Sequence, residues 1–189
     1  MEKESFIGIV SLSKLLLGGE PASLFKKDPV FDHLIKDKFL KDYEFASANE
    51  YDDWQDTSMG ALALIILFDQ FSRNIFRDDK KAFEQDTKAR LIVSDAVHAG
   101  FLDEMDQSQR FFMLLPLIHS EEILDHEMAY FLLDKYLKEH PDLVDIKKFW
   151  KDHTKAIKQF HRYPHRNKIL GRVSTDQEIE FLKRPNSNW

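Results

Sequence analysis

Hydrophobic positions along this chain recur mostly every three or four residues, the spacing of one helix face, and seldom alternate as a half-buried strand would. Residues 3–18, KESFIGIVSLSKLLLG, predict a helix ending near Gly18 and Gly19, although FIGIVSL also alternates as a strand would. A second helix is expected from Pro29 to about Phe45. Residues 42–56, DYEFASANEYDDWQD, hold six acids and no base, and predict a helix end and a solvated loop. Residues 59–71, MGALALIILFDQF, are apolar nearly all round, which predicts a buried central helix.

Farther on, Ala82, Asp86, Ala89, Val93, Ala96 and Gly100 share helical offsets and form a stripe of small residues with Asp86 in its middle. Residues 108–141 predict one helix interrupted at Pro116, or two in sequence, because proline removes a backbone donor and crowds the preceding turn. Leu124, Met128, Phe131, Leu132 and Tyr136 are the expected buried face of the second part. Ile146, Phe149, Trp150, His153, Ile157 and Phe160 mark one face of a further helix, which Pro164 stops near Tyr163. Thr175 and Glu178 have capping-box spacing at the start of a last short helix. The sum is an all-α single domain, residues 1–189, of about seven helices.

Composition sharpens this picture. At 189 residues and 43% apolar, one core of ordinary size is feasible. Sixteen Phe predict a core filled with large rings, and only six Gly and six Pro disfavour many short strands. The net charge of −6 argues against general nucleic-acid binding. The absence of cysteine excludes disulfides, thiol chemistry and Cys-based zinc sites. No apolar run reaches the roughly 18 residues of a membrane helix, and MEKESFIGIV lacks the shape of a secretory signal. A cytoplasmic protein that does not engage membranes is expected.

Three motifs carry candidate chemistry. In FDQFSRN, Asp69 and Arg73 are four apart, acid first, a favourable helical ion pair directly after the buried helix. It reads either as a structural pair ending that helix or as an arginine held at a cleft by its own carboxylate. Asp86 is expected to pair with Arg73 or Arg77. In LIHSEEILDHE, His119, Glu122 and His126 fall at helical offsets 0, 3 and 7, which is metal-ligand chemistry. A di-metal bundle needs a second Glu-x-x-His pair, and the chain has none, so neither metal nor cofactor is expected. His153, alone on an apolar face, reads as a core histidine.

The third motif is FHRYPHRNKILGRVST. Residues 161–172 hold four Lys or Arg, two His and no acid. Arg162, Arg166 and Arg172 are planar forks suited to phosphate or carboxylate, next to the start of a helix whose free amides favour an anion. The alternative is that these arginines neutralise the protein's own acids, such as Asp69, Asp86 and Glu121.

Four stretches in order, GALALIILFDQFSRNIFR, AFEQDTKAR, LPLIHSEE and FHRYPHRNKILGRVSTDQEIEFL, resemble the bacterial family named domain of unknown function 924 over roughly residues 30–183. The resemblance implies an all-helical fold of antiparallel helix pairs similar to a tetratricopeptide-like right-handed superhelix, though the chain shows no such repeat. It implies shared positions at Asp69, Gln70, Phe71, Arg73, Asn74, Asp86, Pro116, His119, Ser120, Glu121, Arg162, Pro164, His165, Arg166, Asn167, Gly171, Arg172 and Thr175. Ser72 stands where the family more usually has proline, and His126 where a polar, non-liganding residue is expected. The family brings no catalytic assignment.

The preferred expectation is a polar site for a small anion, a phosphate or carboxylate. The residues do not decide whether it is catalytic. Asp69, Arg73, Asn74, Ser120, Arg162, Arg166, Asn167 and Arg172 are the ligand-binding candidates. His119 or His165 is the acid–base candidate, since imidazole titrates near neutrality, with Glu121 or Asp69 orienting it. Ser120 beside His119 is not read as a triad. Two alternatives are a helical module for an acidic peptide or protein partner, and a buried ion network with no ligand. The first expectation requires DQFSRN, HSEE and RYPHRN to gather around one positively charged hollow.

Overall fold

The computed structural model describes residues 28–185 and Ser187. The helix expected over 3–18 lies outside the described residues. Every regular element among the described residues is helical. Contacts divide the chain into two compact units, Met1–Pro116 and Leu117–Trp189.

In the first unit, α1 is Pro29–Ser47. Asp28 starts it by accepting the amides of Val30 and Phe31, and Pro29 supplies a preset backbone angle at the first helical position. The acidic stretch after it is a helix end and a 3-10 turn, Asp52–Asp56, as expected. Asp42 departs from that reading. It is buried and accepts from the Tyr51 hydroxyl at 3.0 Å, because α1 turns this position inward.

The apolar stretch forms α2, Ser58–Ile65, continued by a π segment, Ile66–Phe71, and by α3, Ser72–Ile75. Counting 58–75 as one continuous helix, the described residues contain seven α-helices. Every residue from Gly60 to Ser72 is buried, so the central helix is buried all round. The π turn was not legible in the pattern. It inserts a residue at DQF, and such insertions shift the side chains that follow around the helix. Phe39 of α1 meets Phe71 at 4.8 Å between ring centroids, and Tyr43 meets Phe68 and Phe76 edge-on. Gly60 is required by a close approach: a Cβ there would lie 2.0 Å from the Trp54 carbonyl oxygen.

The stripe of small residues is shorter than its spacing implied. A 3-10 turn, Lys80–Phe83, comes first, then α4, Asp86–His98. Gly100 follows the helix with φ +78°. Ala89, Val93 and Ala96 are the small buried face, and Asp86 opens the helix instead of interrupting it. An acid in the first turn suits the partial positive charge of a helix start.

Helix α5, Gln107–Ile118, contains Pro116 and is not broken by it. The break falls after Ile118, at residues 119–122, so the stretch is two helices in sequence. Proline so near the helix end removes one backbone hydrogen bond without preventing the last turn. In the second unit, α6 is Ile123–Tyr136 and α7 is Leu143–Phe160. The expected buried face of α6 holds for Leu132 and Tyr136 and is corrected for the rest. His126, Ala129, Leu132, Leu133 and Tyr136 are buried, whereas Leu124, Met128 and Phe131 are 72%, 49% and 65% exposed. Helix phase, not residue type, sets which side meets α7, and a buried histidine displaces the leucine–methionine stripe.

Helix α7 follows its predicted face, with Ile146, Trp150, His153 and Ile157 buried. It stops at Phe160 because His161 takes the left-handed conformation, φ +55°, before Pro164 is reached. A 3-10 turn, Pro164–Arg166, and α8, Asp176–Leu182, follow. The expected capping box is formed. The Glu178 amide donates to the Thr175 hydroxyl at 3.3 Å, and the Thr175 amide to the Glu178 carboxylate at 2.7 Å. Among the described residues no helix is long and apolar enough to cross a membrane.

Candidate functional site

The sequence-derived candidates fall into two clusters, one in each unit. In the first, the π segment and α3 carry Asp69, Arg73 and Asn74. Arg73 extends to α4, where its Nη2 donates to Asp86 Oδ1 at 2.7 Å, and reaches Asp69 more loosely at 3.4 Å. Its Nη1 donates to the Ala82 carbonyl, and its guanidinium lies 4.6 Å from the Phe83 ring centroid. Burial works against its charge, but Asp86 and then Asp69 more than offset that and hold its pKa above the ordinary value. Gln70 donates to Asp69 Oδ2 at 2.6 Å. Asn74 is 3% exposed and donates to Asp32 Oδ1 at 2.8 Å, and Arg77 grips the same carboxylate through Nε and Nη2. Of the two arginines considered for Asp86, Arg73 takes it. Asp32 had not been singled out, and the only signal for it was its position in the first turn of α1.

In the second unit, HSEE and FHRYPHRN do meet. HSEE is the linker between α5 and α6, not helix, so the aligned imidazole–carboxylate face expected of His119, Glu122 and His126 does not form. His126 is fully buried; its Nε2 contacts the Ser120 carbonyl at 2.9 Å and its Nδ1 the Thr154 hydroxyl at 2.9 Å. Both ring nitrogens are thereby engaged. Burial keeps its pKa below the ordinary imidazole value. Ser120 donates to Asp125 at 2.5 Å and accepts the Glu122 amide at 3.0 Å, which sets the turn into α6.

Glu121 ties the two motifs together. Arg172 Nη1 donates to its Oε2 at 2.6 Å, Arg172 Nη2 to its Oε1 at 2.9 Å, and the Tyr163 amide to Oε1 at 2.8 Å. Burial pushes the Glu121 pKa up. The Arg172 fork, the Tyr163 amide and the nearby charge of Arg166 outweigh it and bring the pKa below the usual carboxylate value. Arg172 also donates to Asn167 Oδ1 and to the Tyr163 carbonyl. Asn167, 1% exposed, donates to the Ser174 hydroxyl at 3.0 Å. Arg162 forms a second fork on Glu178, with Nε at 2.6 Å and Nη2 at 2.8 Å. That fork, more than the capping box, pulls the Glu178 carboxyl down to about 2.

Tyr163 is the centre of this cluster. It is fully buried, and its hydroxyl donates to the Ile118 carbonyl. The Arg166 guanidinium lies 4.7 Å from its ring centroid, His165 5.4 Å and His153 5.8 Å. His119 stacks obliquely on His153 at 6.0 Å. Arg166 is only 6% exposed and donates through Nη2 to the His119 carbonyl at 2.9 Å. His119 and His165 are partly open, whereas His153 is buried and donates through Nδ1 to the Phe149 carbonyl at 2.8 Å. Burial, then the neighbouring His119, His165 and His126, hold the His153 pKa well below the ordinary value. Sequence reasoning treated His153 as a separate core histidine. Its place among the other imidazoles depends on the crossing of α7 over the linker, which no local pattern encodes.

Among curated proteins, none matches the chain. A solved structure of a protein of unknown function from Agrobacterium tumefaciens is similar, with 29% sequence identity, a TM-score of 0.77, and coverage of 92% of this chain and 98% of that one. The family model described as a bacterial protein of unknown function matches residues 17–186, so this chain belongs to that family, domain of unknown function 924.

Proposed function

We propose that the second unit binds a small anion, a phosphate or carboxylate, between His119, His165 and the guanidinium of Arg166. The carrying observation is the buried Arg166 guanidinium, His153 and His165 gathered at the Tyr163 ring, with His119 lying on His153. Burial lowers the His153 pKa most, and the neighbouring His119, His165 and His126 lower it further by repulsion. A bound anion relieves that repulsion. His119 and His165, partly open to water, are the groups that could exchange a proton with a ligand, which makes either the acid–base candidate if the site is catalytic. Glu121, Arg172, Asn167 and Ser120 act here as the frame holding the turn and the linker in register.

A second reading is favoured by a specific observation. Arg73, Arg162 and Arg172 each grip carboxylates of their own unit. This supports an ion network for those three that fixes helix and loop positions without a ligand. Thermal melting with millimolar inorganic phosphate, then with phosphorylated and carboxylated metabolites, separates the two. Binding at about 100 times the Kd stabilises by roughly 2.7 kcal/mol. His119→Gln, at a partly open position, should abolish the anion-induced rise while the unliganded melting point changes little. If no anion raises the melting temperature of the unaltered protein, the binding reading fails and the network alone stands.

A further inference from the structure

The exposed side of α7 carries five lysines, Lys147, Lys148, Lys151, Lys155 and Lys158. At about 100° per residue they fall within an arc of roughly 100°, running about 17 Å along the helix. All five are exposed. Lys147 stands 3.9 Å from Asp134 of α6, and the other four have no ion-pair partner among the described residues. This is a positive strip on a chain whose net charge is −6.

We propose that this strip docks an acidic helix of a partner protein, one with Asp or Glu repeated every three or four residues along one face. Three features select that occupant. From Lys148 onward the lysines step along α7 every three or four residues, a rise of about 4.5–6 Å each, which is the spacing of carboxylates on another helix and shorter than the nearly 7 Å between same-side residues of a strand. The strip is also narrow. Asp145 and Asp152 lie on one border and Asp134 on the other, so a duplex or a flat anionic membrane would press its charge onto acids as well. Screening over about 8 Å at physiological salt confines attraction to a partner lying along the strip itself. Finally, the strip is on the face of α7 opposite the His153 side, so the inference is independent of the anion site.

The test uses the full chain and a labelled synthetic helix with glutamates at i, i+4, i+7 and i+11, measured by fluorescence anisotropy in 0.15 M salt. A scrambled peptide of the same composition, a short single-stranded oligonucleotide and phosphatidylserine vesicles are the comparisons. The striped peptide should bind roughly tenfold tighter than the scrambled one. The Lys151→Gln/Lys155→Gln/Lys158→Gln variant should lose that advantage with an unchanged helical spectrum and melting point. Each exposed pair is weak alone, so the loss is read from three removed together. Equal binding of both peptides, tighter binding of oligonucleotide or vesicles, or no effect of the triple variant would overturn the proposal. Salt-sensitive self-association in sedimentation that disappears in the variant would overturn it too, by making a second copy the occupant.

Discussion

Glu121→Ala should loosen the second unit more than a surface acid would. Two losses can be read from the geometry. The Tyr163 amide belongs to a fully buried residue and would lose its partner at 2.8 Å, a cost of about 1–3 kcal/mol for a stranded donor. The Arg172 fork would lose both carboxylate oxygens, but Arg172 and Glu121 are 23% and 26% exposed, and Arg172 keeps Asn167 and the Tyr163 carbonyl. Water and those partners limit this part to about 1 kcal/mol. Together the loss is about 2–4 kcal/mol, and for a chain of this length each kcal/mol moves the melting point by roughly 2–4 °C. Urea unfolding followed by circular dichroism measures it. Glu121→Gln keeps an oxygen for the Tyr163 amide and should cost only about 1 kcal/mol. A cycle with Arg172→Met should show coupling of about 1 kcal/mol between the two positions. The reasoning is refuted if Glu121→Ala costs under about 1 kcal/mol, or if the Ala and Gln variants are equal, since the buried amide would then not depend on this carboxylate.

Two other outcomes follow from single features. Gly60→Ala should destabilise by about 1–3 kcal/mol in the same unfolding assay, because the clash with the Trp54 carbonyl outweighs the roughly 1 kcal/mol gain in helix propensity; a more stable variant would show that the close approach yields freely. Stability should fall as pH drops below about 6.5, because His153 and His126 have lowered pKa values in the fold: the unfolded chain takes up protons that the folded chain refuses, at up to about 1.4 kcal/mol per pH unit for each. Above that pH both states are neutral there and the effect vanishes. Melting curves from pH 8 to 5 check the slope, and His153→Leu should reduce it.

Much of the fold was legible because its signals are local. The α7 face, the Thr175–Glu178 box and the buried central helix each follow from a period or a spacing within a few residues. The break between α5 and α6 was less so. Pro116 drew attention as the breaker, whereas the turn is made by Ser120 holding Asp125 and the Glu122 amide, a geometry visible only after folding. The α6 face was misread because Leu124, Met128 and Phe131 carry the apolar periodicity while His126 takes the buried side. Residue type alone cannot reveal that, since it rests on the Ser120 carbonyl and the Thr154 hydroxyl, which folding brings to the two nitrogens of His126.

By itself, the order of residues determined an all-helical chain and which residues are chemically able to hold charge or move protons. It also determined that HSEE and RYPHRN hold complementary groups. It did not determine which arginine answers which carboxylate. Arg73 closing on Asp86, Arg172 on Glu121 and Arg162 on Glu178 were decided by tertiary structure, as was the gathering of His153 and His165 at Tyr163 with His119 on His153. The physical reason is range. Helix periods and caps act over one or two turns, whereas the choice among ion-pair partners, and which of those pairs lose water, depends on helices brought together from distant parts of the chain.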